Sequence, residues 1–194
     1  GLFFPLGGTS NHFKRDILLR LGAWDPYNVT EDADLGVRLT RFDYEMGVLA
    51  STTYEEAPLH MRAWLRQRTR WLKGWMQTWL VHMRRPGHFG QRRALAKMAV
   101  FQALILGSLL AILAFPLCLC FIAAHLAGVL PLIGDGGAWT TALGAFNAAV
   151  FALGYSATAA LSLRAIRRRG LAIARWRLIE LPAYWLVMAA ALAL

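Results

Sequence analysis

An α/β front part followed by membrane-crossing α-helices is the fold class that this 194-residue sequence predicts, and three observations predict it. The chain is 57% hydrophobic and only 16% charged, yet its formal charge is +10. A soluble basic domain of this size carries more charge, and a disordered basic tail carries far fewer apolar residues. The charge is also unevenly placed: residues 1–97 hold fifteen Lys and Arg against nine Asp and Glu, whereas residues 98–194 hold six Arg and two acids. Finally, two long stretches, 98–124 and 140–163, contain no charged side chain.

In the front part, Leu2-Phe3-Phe4 reads as the end of a buried strand running into a loop rich in glycine and hydroxyls, Pro5 to Asn11. Paired glycines let a backbone approach a ligand closely, although a plain turn has the same composition. Residues 16–21 read as a short helix stopped at Gly22, with Leu18, Leu19 and Leu21 for a core. Asp25-Pro26-Tyr27-Asn28 is a turn. A helix then starts near Thr30, with Glu31, Asp32 and Asp34 in its first turn and Leu35, Leu39 and Phe42 at helical spacing. Carboxylates at a helix N-terminus satisfy free amides and complement the dipole without any further role.

Residues 59–83 place Met61, Trp64, Leu65, Leu72, Trp75, Met76, Trp79, Leu80 and Met83 on one broad stripe, with Arg62, Arg66, Arg70 and Lys73 off it. That pattern suits a helix lying in a membrane interface. Gln67, Arg70, Trp71 and Gly74, at i, i+3, i+4 and i+7, share a second face. There an amide, a guanidinium and an indole beside a small residue suit a phosphate and a sugar ring, or equally lipid headgroups.

The run 98–124 is long enough to cross a hydrocarbon core of about 30 Å, with a kink expected at Pro116. The run 140–163, with Gly144 and Gly154, suits close helix packing. A third span begins near 178, with Glu180 and Pro182 at its start. The stretch 125–139 has no Lys or Arg. Residues 164–177 carry six Arg, and Arg84, Arg85, Arg92, Arg93 and Lys97 precede the first span. The positive-inside rule therefore places the front part in the cytoplasm. Most of the basicity is topological, and no nucleic-acid-binding motif accompanies it. The expected organisation is 1–58, 59–97 as interfacial helix and basic linker, and 98–194 as transmembrane region.

Cys118 and Cys120 read as core cysteines rather than as a disulfide or zinc site. His12, His60, His82, His88 and His125 show no metal-ligand spacing and read as polar surface or interfacial side chains, and Glu31 and Asp34 as supporting or capping groups. The chain lacks an initiator Met and stops inside an apolar run, which reads as a piece of a longer protein, so the absence of a signal peptide carries no weight.

Three motifs, in this order and followed by spans, resemble the membrane-integrated family 2 glycosyltransferases of the cellulose-synthase-like and hyaluronan-synthase-like kind: the Phe3-Phe4 to Asn11 loop, Thr30-Glu31-Asp32, and Gln67-Arg68-Thr69-Arg70-Trp71, which matches Q-x-x-R-W. The resemblance implies the C-terminal part of a GT-A-type, Rossmann-like catalytic domain, then an amphipathic interfacial helix and transmembrane helices in the cytoplasmic membrane. It implies inverting, processive hexosyl transfer from a nucleotide-sugar, expected to be a UDP-sugar, to a growing polysaccharide. Asp32 maps to the general base, Gln67 and Arg70 to the donor pyrophosphate, and Trp71 to sugar stacking. Thr30, Glu31, Arg68 and loop residues Gly8, Thr9, Ser10 and Asn11 join the substrate contacts. A divalent cation, Mg2+ or Mn2+, is implied with ligands upstream of these residues, so the 194 residues alone are expected to be inactive.

The loop is longer than the cellulose synthase version and lacks its Cys, which leaves acceptor and linkage open. Two alternatives remain: a non-processive transferase acting on a lipid or short acceptor, and a non-catalytic membrane scaffold or transport subunit.

Overall fold

In the computed structural model, which describes residues 2–7, 10–87, 89, 93–127, 138–172 and 175–194, seven α-helices are described in the order α1 (Arg15–Arg20), α2 (Glu31–Arg41), α3 (Met61–Met83), α4 (Ala94–Phe101), α5 (Gly107–Leu126), α6 (Ala138–Arg169) and α7 (Leu181–Ala193). A π-helical turn, Gln102–Leu106, joins α4 to α5, and a 3-10 helix, Arg175–Glu180, precedes α7. The chain divides into two compact units, one of residues 1–111 with 191–194 and one of residues 112–190.

No strand occurs among the described residues, so the strand expected at 2–4 is corrected. A strand exists through its ladder, and residues 2–7 form none with the other described residues. The apolar run reports burial instead: Phe3 is buried, edge-on to Phe101 at 5.5 Å between ring centroids.

Two helices in the first unit end in the same device. After α1, Gly22 at φ 81° donates to the Leu19 carbonyl and Ala23 donates to Leu18. After α2, Asp43 at φ 62° donates to Thr40 and Tyr44 donates to Leu39. Both are Schellman closures that satisfy terminal carbonyls, and glycine supplies the left-handed residue without strain only in the first. Tyr44 then folds back on the core of Leu21, Leu35 and Leu39, which Leu6, Phe13, Ile17, Leu18 and Met46 surround. Leu19, expected to be available for this core, is exposed because it lies on the outer side of a six-residue helix, and Phe42 is exposed where the chain leaves helical geometry.

The helix expected at 59–83 forms as α3, but its protein-facing side is not the apolar stripe. Its buried residues are Leu72, Gly74, Thr78 and His82, so Leu72 alone of the stripe is buried. The Trp79 indole donates to Gln102 Oε1 at 2.6 Å, which ties α3 to the π-turn.

Three helical stretches are long and apolar enough to cross a membrane: Ala94–Ala124, Gly144–Arg169 and Trp176–Ala193. They correspond to the expected spans 98–124, 140–163 and 178–194, with shifted ends. Pro116 lies inside α5. In the second unit, the Phe115 ring stacks on Phe151 at 5.6 Å, and the Tyr155 hydroxyl donates to the Leu178 carbonyl at 3.0 Å.

Lys97, counted above among topological cations, is buried at 3% exposure. Its ammonium donates to the Thr40 carbonyl, at the C-terminus of α2, and to the Asp43 carboxylate. A cation is favourable there because it meets free carbonyls and the negative end of the helix dipole.

Candidate active site

The turn before α2 is built on Asp25, whose Oδ1 accepts from the Tyr27 amide at 2.9 Å. It delivers Asn28, a buried bracket between two helices. Asn28 Oδ1 accepts from the Thr30 amide at 3.0 Å, and Asn28 Nδ2 donates to Thr78 Oγ1 of α3 at 3.0 Å. Thr30 is the residue before the first turn of α2, and its hydroxyl caps no amide of that helix. The side chain presses on Gly74 instead: a Cβ at Gly74 would lie 2.5 Å from Thr30 Cγ2 and 2.6 Å from Oγ1. Only glycine permits this approach. The small residue expected to leave room for a ligand beside Arg70 and Trp71 is thus filled by Thr30. The same contact brings two of the three motifs together, since Gly74 lies one turn beyond Trp71.

A second tie lies farther along both helices. Asp34, 4% exposed, accepts from Arg38 Nε and shares a hydrogen bond with His82 Nε2, both at 2.8 Å. Arg41 Nη1 lies 2.8 Å from His82 Nδ1. A guanidinium only donates, so Nδ1 accepts and Nε2–H donates to Asp34. Burial pushes the Asp34 carboxyl up, but the hydrogen bond from His82 and the charge of Arg38 outweigh it and hold it below 3.8.

One expectation is corrected here: His82 is neither surface nor interfacial but 4% exposed. Asp34, read as a supporting or capping group, ties the two helices rather than capping one. The signal was present in the spacing, because Gly74, Thr78 and His82 recur every fourth residue and so form one seam.

Asp32 is half-buried, and its Oδ1 accepts from the Ala33 amide at 2.8 Å. That bond orients the carboxylate and leaves Oδ2 without a partner among the described residues. Burial and the neighbouring charge of Glu31 raise its pKa, against the lowering by the Ala33 amide. Glu31 itself is exposed.

On α3, Gln67 and Arg70 make no hydrogen bond among the described residues, and Arg70 is exposed. Arg68 lies over the Trp71 ring at 4.3 Å and the Trp64 ring at 5.2 Å, a cation–π sandwich. Trp71 is 39% exposed.

The Gly-rich loop passes over α2 at Gly36, where a Cβ would lie 3.0 Å from the Phe4 carbonyl oxygen. Asn11 Nδ2 closes it onto the Gly7 carbonyl at 2.6 Å, and Ser10 and Thr53 share a hydroxyl bond of 2.7 Å. Gly8 and Thr9 lie outside the described residues. Among the described residues no group of three or more His, Cys, Asp and Glu can hold a metal ion, and Asp34 is already committed to Arg38 and His82. These side chains therefore do not assemble a site for the divalent cation that the resemblance implies.

Two curated proteins are similar to parts of the chain. A probable glycosyltransferase of Bacillus subtilis, YdaM, is 37% identical over 68 residues, covering 34% of this chain and 16% of that protein. A beta-monoglucosyldiacylglycerol synthase of Synechocystis is 31% identical over 80 residues, covering 41% of this chain and 17% of that protein. The aligned part is thus about one sixth of either relative's length. No solved structure matches the chain. The profile of the family described as "Glycosyl transferase family group 2" matches residues 2–193, nearly the whole sequence: the chain belongs to that family, which implies a GT-A fold for the catalytic part.

Proposed function

We propose that these residues are the acceptor-side and membrane part of an inverting glycosyltransferase that uses a nucleotide-sugar at the cytoplasmic face of a membrane, with Asp32 as the general base. The observation that carries this reading is the contact of Thr30 with Gly74, which sets the first turn of α2 on the helix bearing Gln67, Arg70 and Trp71. In the step, Asp32 Oδ2 accepts the proton of the acceptor hydroxyl. The freed oxygen bonds to the anomeric carbon, and the nucleoside diphosphate departs with the glycosidic electron pair. Arg70 neutralises the departing charge and Gln67 hydrogen-bonds it, while the exposed edge of Trp71 packs on the acceptor sugar. A raised Asp32 pKa suits a base, because it strengthens the proton acceptor.

For the acceptor, the resemblance of the three ordered motifs to the cellulose-synthase-like and hyaluronan-synthase-like kind supports a growing polysaccharide and processive hexosyl transfer. A single addition to a lipid is the second reading, and the name of the Synechocystis relative, a beta-monoglucosyldiacylglycerol synthase, favours it. Product sizing after incubation with radiolabelled donor separates the two, because non-processive transfer yields one discrete addition.

In the full-length protein, Asp32→Asn should cut transfer by at least about 100-fold while donor binding persists. Near-normal turnover in that variant overturns the catalytic assignment.

A further inference from the structure

Trp64, Arg68 and Trp71 stand at i, i+4 and i+7 and so share one face of α3. The Arg68 guanidinium carbon lies 4.3 Å from the centre of the Trp71 ring and 5.2 Å from that of Trp64, which holds one cation between two π systems. Arg68 Nε is buried without a hydrogen bond among the described residues. An N–H shut away from water without an acceptor costs stability, and the ring faces are what offset that cost here. The two arginines of the motif are thereby divided. At about 100° per residue, Arg70 projects about 200° around α3 from Arg68, and it is the exposed cation assigned above to the departing diphosphate. The Q-x-x-R-W pattern leaves the position of Arg68 open, and the transfer step proposed above gives it no part.

We propose that Arg68 is a positioning residue for acceptor binding: it closes one face of Trp71 and pins the indole, so that a sugar meets that ring only on its opposite face or edge. A guanidinium at 4.3 Å leaves no room for a sugar between it and the ring, because ordinary carbon contacts need about 3.5 Å on each side. Trp64 backs the guanidinium from the other side, which completes a stack of three. The 39% of Trp71 that stays exposed is therefore the part left for a ligand. An indole free to turn about its two side-chain torsions must be ordered when a sugar docks. One already pinned has no such freedom to lose, and the saving appears as affinity. Arg68 thus acts through Trp71 and not on the substrate. The inference rests on the stacking role given to Trp71 above, and it adds what holds that ring and which side of it is open.

The test uses full-length protein labelled with 5-fluorotryptophan in phosphatidylcholine nanodiscs, with the Trp71 fluorine line assigned by its loss in Trp71→Phe. The probes are octyl β-glucoside and cellotetraose for the acceptor and UDP for the donor. Arg68→Met keeps the stem and the helix propensity but removes the cation, so circular dichroism should be unchanged. The Trp71 line should shift and become more sensitive to exchange of H2O for D2O as the second face opens. Sugar affinity, read from that line, should fall about fivefold, the worth of a half-buried cation–π contact, while UDP affinity stays at the wild-type value. Arg68→Lys, a cation without the planar fork, should fall between the two. If Arg68→Met fails to fold, Trp64→Leu removes the backing ring instead and should weaken sugar binding in the same direction. A contact of purely structural value would lower the thermal midpoint and leave both the Trp71 line and sugar affinity in place, and that result overturns the proposal. So does an equal loss of UDP and sugar affinity, because Arg68 would then be a substrate contact. If sugar leaves the wild-type Trp71 line unmoved while Arg68→Met still shifts it, the stacking role of Trp71 is what fails, and the proposal falls with it.

Discussion

Gly74→Ala adds one methyl group where α3 meets the residue that opens α2. That methyl would stand 2.5 Å from Thr30 Cγ2, 2.6 Å from Oγ1 and 2.9 Å from Cβ. Ordinary carbon contacts begin near 3.5 Å, so the helices must separate by about 1 Å or the Thr30 rotamer must break. Neither is cheap, because Thr30 is pinned by Asn28, and Asn28 by Thr78 at 3.0 Å. Alanine gains about 1 kcal/mol of helix propensity over glycine, while overpacking costs about 1–3 kcal/mol, so the net loss of stability is only about 0–2 kcal/mol. Function should suffer far more, since a displacement of about 1 Å at a reacting group costs roughly 100-fold in rate. The assay is sugar transfer by full-length protein in vesicles, beside the thermal midpoint of the same preparation. Gly47→Ala is the control, because nothing lies within 4 Å of its added Cβ. A Gly74→Ala protein with wild-type turnover and a raised thermal midpoint would refute the reasoning, because the close approach would then be absent.

His82→Ala removes a hydrogen bond to a carboxylate at a site where both side chains are 5% exposed, and should cost about 2–3 kcal/mol, read as a lowered thermal midpoint. Asp34 is held below its ordinary value, so its contribution to stability is fully present above 3.8 and is lost as pH falls through its folded pKa. The wild-type midpoint should drop in that acid window more steeply than the midpoint of Asp34→Asn. The acid limb of kcat/KM should titrate above 3.8, because burial raises the Asp32 pKa, and Glu31→Gln should move that limb to lower pH by removing a like charge. Lys97→Met keeps the stem but strands the Thr40 carbonyl and the Asp43 carboxylate, and a loss of about 2 kcal/mol is expected in thermal denaturation.

Local signals in the sequence were legible because they depend on neighbours in the chain. Gly22 stops α1, Thr30 precedes α2, and uncharged runs mark the helices long and apolar enough to cross a membrane, since capping, left-handed turns and segment length are properties of short stretches. The period of Leu35, Leu39 and Phe42 was readable as a helix, but periodicity does not report where a helix ends, and Phe42 lies just past the end of α2.

Partners were not legible. Periodicity identified an apolar stripe on α3 but not which face meets protein, and the structure gave that contact to the small and polar seam of Gly74, Thr78 and His82. The residues meeting that seam, Asn28, Thr30 and Asp34, lie more than forty positions away, and a one-dimensional pattern cannot encode their register. Charge counting likewise assigned Lys97 to the membrane surface, while a buried carbonyl and a carboxylate claim it. By itself the sequence determined that a motif-bearing front precedes apolar helices. Only the tertiary structure decided that the helix of Asp32 rests on the helix of Arg70, because a glycine there leaves room for a threonine and nothing larger.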